Sequence, residues 1–417
     1  MNPALSASLI LFATTAALSA AITGLAVFVA RRRQLLAHPV ERSSHSVPTP
    51  QVGGVGICLA LMVGLMLVPA FSWRFVPAHA SIRGLPYSFW LEAFGFLDSR
   101  KVLMVVLAQG LVLGLLDDIL HLAAGPKFVG QVVMAAMPLI GGIAFVCVDP
   151  SWADAFRMWW GRQGQLPPGI WIEGGLTFLW VLFFINAFNF MDGVNGQSGF
   201  FTLNTLLWWM VIYGMEIPEW KAIGLYSESD SPALLRFVYL PHVAIAGAVL
   251  GFLFWNFPRA RTFMGDSGSL PLGAVLAVMA VAAHPATPHR FVASCFPLSL
   301  FIYDVLYTLV RRVRRRENLL TAHRSHLYQR LLIATGWSHA RLLAFHLPFY
   351  LLSGLAGAVY FASILNSRWP RDYPPLGLLH WIPAQGIACL VFLALLLLGY
   401  TFLVWRFEEK NREATAS

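Results

Sequence analysis

The stretch FFINAFNFMDGVNG, residues 183–196, ends a strongly apolar run with a ladder of polar side chains. These side chains recur at intervals of three, as Asn186, Asn189, Asp192 and Asn195. At 3.6 residues per turn, this interval keeps the first three on one flank of a helix, where they can line a single cavity. Amides that join neighbouring helices are the alternative, but that explanation suits a single asparagine better than a ladder ending in DGVNG.

The composition around this stretch is that of an integral membrane protein. Of the 417 residues, 58% are hydrophobic and 12% are charged, and the mean hydropathy is +0.65. Soluble domains carry about 25% charged residues. No polar segment is long enough to form a soluble domain, so residues 1–417 are predicted to form one all-α membrane domain.

Apolar segments long enough to cross a bilayer recur along the whole chain. They predict a polytopic bundle of about 10–11 transmembrane helices. The predicted spans are 6–30, 53–72, 101–117, 128–148, 171–188, 198–215, 236–256, 268–284, 290–310, 340–365 and 380–405.

Basic residues predict the orientation of these spans. Arg31–Arg33 and the run Arg311–Arg316 mark the cytoplasmic side, which places the N-terminus outside. The first apolar run precedes its basic residues, the reverse of a signal peptide, so a retained helix is expected. The net charge of +9 comes without a soluble basic domain, so nucleic acid is not an expected partner.

Each predicted cytoplasmic loop contains a polar cluster that a simple connection would not need. The active site is therefore expected on the cytoplasmic face. The clusters are ERSSHSVPTPQVGGVG (41–56), GLLDDILH (114–121), the stretch 183–196, NFPRARTFMGDSGS (256–269) and TAHRSHLYQRL (321–331).

The acids in two of these clusters point to phosphate and metal chemistry. Asp117 and Asp118 close an apolar helix, where the helix dipole disfavours carboxylates, so a cationic partner such as Mg²⁺ would offset the cost. Solvation by lipid headgroups is the alternative. Asp266 lies between glycines before an apolar run, a pattern that fits a phosphate cradle with a metal ligand or an ordinary helix cap.

The cluster at 321–331 has the composition of an anion-binding loop. His323, Arg324 and His326 lie close together, and arginine binds phosphate in a bidentate manner. These residues are therefore predicted to contact a pyrophosphate. The preceding run Arg311–Arg316 is expected to meet anionic lipid.

The five clusters, in this order, resemble those of the bacterial polyprenyl-phosphate N-acetylhexosamine-1-phosphate transferases. The resemblance covers about residues 40–335 and leaves extra C-terminal helices at 340–405. The loop at 321–331 resembles the branch that initiates O-antigen and lipopolysaccharide synthesis, since it lacks the three consecutive histidines of the peptidoglycan branch. The family implies a multi-pass enzyme of the bacterial inner membrane, and its branch makes a homodimer an expectation.

The resemblance implies roles for individual residues. Asp117 and Asp118 match the family's catalytic aspartate pair, and Asp266 matches its catalytic Mg²⁺-binding aspartate, with Mn²⁺ as an alternative ion. Asn195 stands where the family has a second aspartate, so the metal is assigned to Asp266. Together with Asn186 of the polar ladder, the expected substrate-binding residues are Asn189, Asp192, Asn256, Phe263, His323, Arg324, His326 and Lys127.

The implied reaction transfers a sugar 1-phosphate from a UDP-sugar to undecaprenyl phosphate and releases UMP. Peptidoglycan-type transfer of phospho-MurNAc-pentapeptide is the nearest alternative. A transporter is a second alternative, but it would place polar residues near mid-span, whereas these lie at span ends.

Overall fold

The computed structural model describes residues 3–37, 47–73, 81–82, 85–86, 96–140, 143, 168–215, 231–282, 288–319, 321, 323–366 and 382–416. The start of the first polar cluster, residues 41–46 including Arg42–His45, lies outside the described residues. The described helices are α1 Pro3–Arg32, α2 Gly53–Trp73, α3 Phe96–Leu120, α4 Ala124–Ile140, α5 Pro168–Met191, α6 Gln197–Gly214, α7 Ser231–Asn256, α8 Asp266–Ala282, α9 Pro288–Cys295, α10 Ser299–Arg314, α11 Leu327–Thr335, α12 His339–Asn366 and α13 Ala384–Ala416.

The predicted all-α, multi-pass architecture is confirmed. Each predicted span overlaps one of these helices, except that the span at 290–310 falls on two, α9 and α10, which meet at 78°. Within the described residues, six helices are long and apolar enough to cross a membrane, or seven with the bent pair. The described strands, Ser81–Ile82 and Leu85–Pro86, form only a two-residue antiparallel pair.

Helix α8 lies at the centre of the bundle, where neighbouring helices cover its apolar residues. It packs against α2, α3 and α5, and Leu270, Ala274 and Val278 have no exposed surface. By contrast, Leu395 and Leu398 on α13 are exposed, as expected for a helix that faces lipid. The residues at the start of α8 are therefore held by three neighbouring helices.

Two glycines allow the start of α8 to lie against its neighbours. A Cβ on Gly54 of α2 would collide with the backbone of Gly268, and a Cβ on Gly114 of α3 would collide with the backbone of Asp266. Small residues at such crossings let helix backbones approach closely in a membrane. These contacts fix the position of Asp266 relative to the end of α3.

The segment before α8 is held by extended pairing with the segment before α2. The N–H of Phe263 donates to the carbonyl of Pro50, and the N–H of Gly53 donates to the carbonyl of Phe263, both at 2.9 Å. Gly265 then turns the chain into α8 with φ of +70°, a conformation that suits glycine. The segment before α2 therefore lies beside the segment that leads into α8.

The close contact at Gly54 gives a stability prediction. Gly54→Ala is expected to lower the melting temperature of the detergent-solubilised protein, since overpacking a tight contact costs about 1–3 kcal/mol. Gly175→Ala in α5 is the matched control, because a Cβ there meets no atom within 4 Å. Equal melting temperatures for the two variants would contradict the close α2–α8 contact.

Candidate active site

Four helices bring predicted site residues into one polar cluster. Asp117 comes from the last turns of α3, Lys127 from the first turn of α4, Asn189 from the end of α5, and Asp266 begins α8. The ammonium of Lys127 lies 3.0 Å from Asp117 Oδ2 and also contacts the Asp266 carboxylate. Asn189 Nδ2 donates to Asp266 Oδ1 at 2.9 Å and to Ser269 Oγ at 2.8 Å.

This cluster is open enough to receive a ligand. The side chains of Lys127, Asp117 and Asp266 are 23%, 17% and 19% exposed. Two carboxylates share one ammonium, so the cluster carries a formal charge of about −1. The site can therefore accept a further cation together with an anionic substrate.

Asp118 has a different role from its neighbour in the aspartate pair. Its Oδ1 accepts the N–H of Asp266 at 2.9 Å, and its Oδ2 accepts the N–H of Ser267 at 3.0 Å. The first N–H groups of a helix have no acceptor within the helix. For α8, the Asp118 carboxylate of α3 accepts two of them. These are the contacts of a helix cap, and the predicted catalytic role of Asp118 remains a prediction.

Asp192 follows the last residue of α5 and faces the same region. Burial, together with the nearby carboxylates of Asp266 and Asp118, raises the pKa of Asp192 to about 8 despite the opposing effect of Ser198. At neutral pH this carboxyl group is therefore mostly protonated. A protonated Asp192 can donate a hydrogen bond to an acceptor atom of a ligand.

Two of the predicted substrate-binding amides make contacts within the protein. Asn256 Oδ1 accepts the N–H of Gly196 at 2.6 Å, while its Nδ2 donates to the carbonyl of Thr262 at 3.0 Å. Asn186 Nδ2 donates to the carbonyl of Leu182 in its own helix. Asn256 therefore ties the DGVNG turn to the segment that carries Phe263, whose ring is half-buried.

The loop at 323–326 is anchored by an acid that the sequence analysis did not single out. Asp304 of α10 has no exposed surface. Its Oδ1 accepts the N–H of Leu327 at 2.9 Å and its Oδ2 that of Tyr328 at 3.1 Å. His326 Nδ1 also lies 3.0 Å from Asp304 Oδ1. Asp304 thus caps α11 in the way that Asp118 caps α8.

The remaining predicted residues of this loop lie beside the anchored histidine. The rings of His323 and His326 are 5.0 Å apart, and His323 Nδ1 accepts the N–H of Ser325 at 3.4 Å. Burial, His326 and the Arg312 guanidinium lower the pKa of His323 to about 4. A neutral His323 with its Nδ1 occupied has Nε2–H as its free donor. Arg324 is half-buried in the same segment.

Arg312 differs from the other arginines of the basic run. Its side chain is only 3% exposed. Its guanidinium donates to Glu317 at 3.1 Å and to the carbonyls of Asn318, Leu319 and Thr321 at 2.5–3.4 Å. Arg312 therefore holds the chain that leads into the loop, and the expectation that the whole run meets lipid is wrong for this residue.

The loop and the opening stretch are in direct contact. Tyr328 Oη donates to the carbonyl of Phe190 at 3.2 Å, and the Phe190 and His326 rings are 6.1 Å apart. A Cβ on Gly193 would collide with the Tyr328 hydroxyl, which explains the first of the two glycines in DGVNG. The structure thus brings the predicted clusters at 114–121, 183–196, 256–269 and 321–331 to one end of the bundle.

The donor set of the cluster fits a divalent cation that arrives with a phosphate. Asp117, Asp266 and Ser269 supply oxygen atoms, the ligand type that Mg²⁺ prefers. The described residues contain no group of three or more His, Cys, Asp or Glu side chains able to hold an ion by themselves. Magnesium commonly binds through one or two carboxylates plus substrate phosphates, and this cluster offers that arrangement.

Asp304 was not among the predicted site residues, although one signal for it was present in the sequence. Asp304 interrupts the apolar sequence SLFIYDVLYTLV of α10. An acid within a membrane span marks a functional or structural partner. Its partners, however, lie 22 to 24 positions further along the chain, and no local pattern identifies them.

Comparison with known proteins decides the family. The model of glycosyl transferase family 4 matches residues 101–284. The decaprenyl-phosphate N-acetylglucosaminephosphotransferase of Mycobacterium tuberculosis is 30% identical over 392 residues, covering 91% of this chain and 87% of that protein. The chain belongs to the polyprenyl-phosphate N-acetylhexosamine-1-phosphate transferase family.

Other members of this transferase family are also similar to the chain. The probable undecaprenyl-phosphate N-acetylglucosaminyl 1-phosphate transferase of Bacillus subtilis is 25% identical over 307 residues, covering 72% of this chain and 70% of that protein. The phospho-N-acetylmuramoyl-pentapeptide-transferase of Streptococcus pyogenes is 30% identical over 255 residues, covering 60% of this chain and 63% of that protein. The family resemblance inferred from the motifs is thus confirmed.

Two substitutions at Asp118 distinguish a helix cap from a catalytic base in this transferase. Asp118→Ala leaves two helix N–H groups without their acceptor, and such a loss costs about 1–2 kcal/mol. Asp118→Asn keeps one acceptor oxygen, so it is expected to retain more transferase activity and a higher melting temperature than the alanine variant. Equal and complete loss of activity in two well-folded variants would show that Asp118 acts on the substrate instead.

The raised pKa of Asp192 predicts a pH-dependent stability. In the unfolded chain an aspartate has a pKa near about 4, against about 8 in the fold. The stabilisation from the protonated group is fully present below the unfolded value and is lost as the pH rises through about 8.

Asp192→Asn replaces the protonated acid with a neutral amide that does not titrate. Its melting temperature is therefore expected to fall less between pH 6 and pH 9 than that of the wild type. Differential scanning fluorimetry of both proteins in detergent measures this. Parallel curves would contradict a raised pKa at Asp192.

Proposed function

We propose that the protein transfers an N-acetylhexosamine 1-phosphate from a UDP-sugar to undecaprenyl phosphate, forming undecaprenyl-diphosphate-sugar and UMP. The observation that carries the proposal is the cluster of Asp117, Lys127, Asn189 and Asp266 at the helix ends. The names of its relatives support the same class of reaction, since they describe polyprenyl-phosphate acceptors and N-acetylglucosamine phosphate transfer.

The reaction is a displacement at phosphorus between two anions. An oxygen of the acceptor phosphate attacks the β-phosphorus of the UDP-sugar, and the bond from this phosphorus to the bridging oxygen breaks, so that UMP leaves with the electron pair. Such reactions depend on positioning and charge neutralisation more than on covalent help from the protein. The ammonium of Lys127 is placed to neutralise pyrophosphate charge beside Asp266.

Asp117 has an orienting role in this mechanism. A phosphate monoester has its second pKa near about 6, so the acceptor is mostly dianionic at neutral pH and needs little deprotonation. Asp117 is held by Lys127 at 3.0 Å and can receive the residual proton. We therefore favour a direct displacement, with Asp117 as a base or an orienting group, over a covalent phospho-enzyme.

Asp266, with Asp117 beside it, would hold Mg²⁺ or Mn²⁺. When bound with the substrate, the ion supplies positive charge to the pyrophosphate oxygens. The chain's own residues do the rest of the positioning, because Asn189 fixes Asp266 through its amide and Asp118 fixes the helix that begins at Asp266.

The nucleotide and the sugar would lie between the polar ladder and the loop at 323–326. Asp192, protonated at neutral pH, offers a donor on the nucleotide side. His323 and Arg324 lie on the other side and would meet the pyrophosphate or the sugar. The site would face the cytoplasm of a bacterium, where nucleotide sugars are made, with the N-terminus outside and the chain in the inner membrane.

The biological role that we propose is initiation of a cell-surface polysaccharide such as O-antigen. The loop HRSH lacks three consecutive histidines, which favours this role over peptidoglycan synthesis. The similarity to the Streptococcus pyogenes enzyme keeps phospho-MurNAc-pentapeptide transfer as the second candidate. The transporter alternative has no support from the polar cluster, which lies at helix ends.

Substitution of the proposed metal ligand tests the function. Purified protein with undecaprenyl phosphate, Mg²⁺ and a panel of UDP-N-acetylhexosamines, together with UDP-MurNAc-pentapeptide, is expected to form one glycolipid and UMP. Asp266→Asn is expected to reduce this activity at least about a hundredfold, as for loss of a principal electrostatic contact. Glu409→Gln on the exposed surface is the control and is expected to retain full activity.

Two outcomes would contradict the proposal. Product formation by Asp266→Asn at the wild-type rate would remove Asp266 from the mechanism. Exchange of labelled UMP into the UDP-sugar without acceptor would require a phospho-enzyme and would exclude direct displacement.

A further inference from the structure

The last helix, α13, presents a row of polar side chains to the elements that carry the loop at 323–326. Thr401, Trp405 and Glu408 are spaced by four and three residues, a spacing that places them on one face of a helix. Each of them makes a hydrogen bond to another helix. This face, defined by Thr401, Trp405 and Glu408, is called the α13 brace below.

The first two residues of the α13 brace bind α10. Tyr303 Oη lies 2.7 Å from Thr401 Oγ1, and Trp405 Nε1 donates to Tyr307 Oη at 3.2 Å. Tyr303 immediately precedes Asp304, the acid that caps α11. The brace therefore holds the turn of α10 from which Asp304 reaches the loop.

The third residue of the α13 brace binds α11 through a bidentate ion pair. Arg330 Nε donates to Glu408 Oε1 at 2.7 Å, and Arg330 Nη2 donates to Glu408 Oε2 at 2.5 Å. The two side chains are only 11% and 20% exposed. Paired arginine–carboxylate contacts are strong and fix orientation as well as distance.

Arg330 lies one helical turn from the loop. Its N–H donates to the carbonyl of His326 at 2.9 Å. By binding α10 and α11 together, α13 keeps Asp304 within reach of His326 and of the first N–H groups of α11. None of these three helices lies within residues 101–284, the part matched by the family model.

We propose that Glu408 is a positioning residue for the sugar-donor site, acting through Arg330 on the loop at 323–326. The choice of a donor readout rests on the proposed function, in which this loop meets the pyrophosphate or sugar. Glu408 acts without touching the substrate. Its loss changes donor binding and leaves the acceptor side of the reaction, at Asp117, intact.

A second ion pair on α13 shows what an ordinary surface contact looks like in the same helix. Arg406 Nη1 lies 2.9 Å from Glu409 Oε2, the partners are three residues apart, and their side chains are 65% and 59% exposed. Exposed pairs of this kind contribute little. Glu409 is therefore a matched control for Glu408, since it is the adjacent residue with the same charge.

The experiment compares Glu408→Gln with Glu409→Gln in the full-length protein in detergent or nanodiscs. Glu408→Gln is expected to raise the donor KM about tenfold, the effect of losing about 1.4 kcal/mol of binding free energy, and to leave the acceptor KM unchanged. Amide hydrogen exchange in residues 323–335 is expected to become faster. Glu409→Gln is expected to match the wild type in all three measurements.

Two further variants keep the test decisive if Glu408→Gln folds poorly. Arg330→Lys keeps the positive charge but loses the bidentate contact, and it is expected to raise the donor KM as well. The double variant R330E/E408R swaps the two charges and restores an ion pair, so its donor KM is expected to return most of the way to the wild-type value. A wild-type donor KM in Glu408→Gln, or in Arg330→Lys where the former does not fold, would overturn the inference.

Failure of the proposed function has a separate signature. If the wild type forms no glycolipid from any donor, the proposed reaction is wrong. The rates of amide hydrogen exchange in Glu408→Gln and Glu409→Gln still decide whether α13 positions the loop. Equal exchange in residues 323–335 for both variants would overturn the positioning role on its own.

Discussion

The start of a helix inside a membrane protein exposes N–H groups that need an acceptor, and the candidate site depends on how this chain supplies one. Asp118 accepts two N–H groups at the start of α8, and Asp304 accepts two at the start of α11. Both acids come from a different helix than the one they cap. Each cap therefore also fixes the distance between two helices, and with it the position of Asp266 or His326.

The polar cluster follows from this constraint and from the close packing at glycine. Because Gly54 and Gly114 let α2 and α3 lie against the start of α8, Asp266 is brought next to Asp117, where two carboxylates would repel each other. Lys127 relieves the repulsion by contacting both. The resulting cluster holds two carboxylates on one ammonium, an arrangement that can accept a cation together with an anionic substrate.

Much of the fold could be predicted from the sequence, because apolar length alone determines where a chain can cross a bilayer. The contacts within the candidate site could not be predicted in this way. Asp117, Lys127, Asn189 and Asp266 form one cluster of contacts, and their roles in the site stay predictions. Nothing local shows that Asp118 caps α8. Asp304 was missed because its partners come from a distant segment. Those roles arise only when helices far apart in the chain pack together.

The role of Asp118 is tested most directly by a crystal or cryo-EM structure of the protein with Mg²⁺ and a UDP-sugar bound. We expect both oxygens of Asp118 to accept the N–H groups of Asp266 and Ser267 in that complex, while the Asp266 side chain faces the ligand. A structure in which Asp118 turns away from the helix and contacts the ion or the phosphates would contradict it.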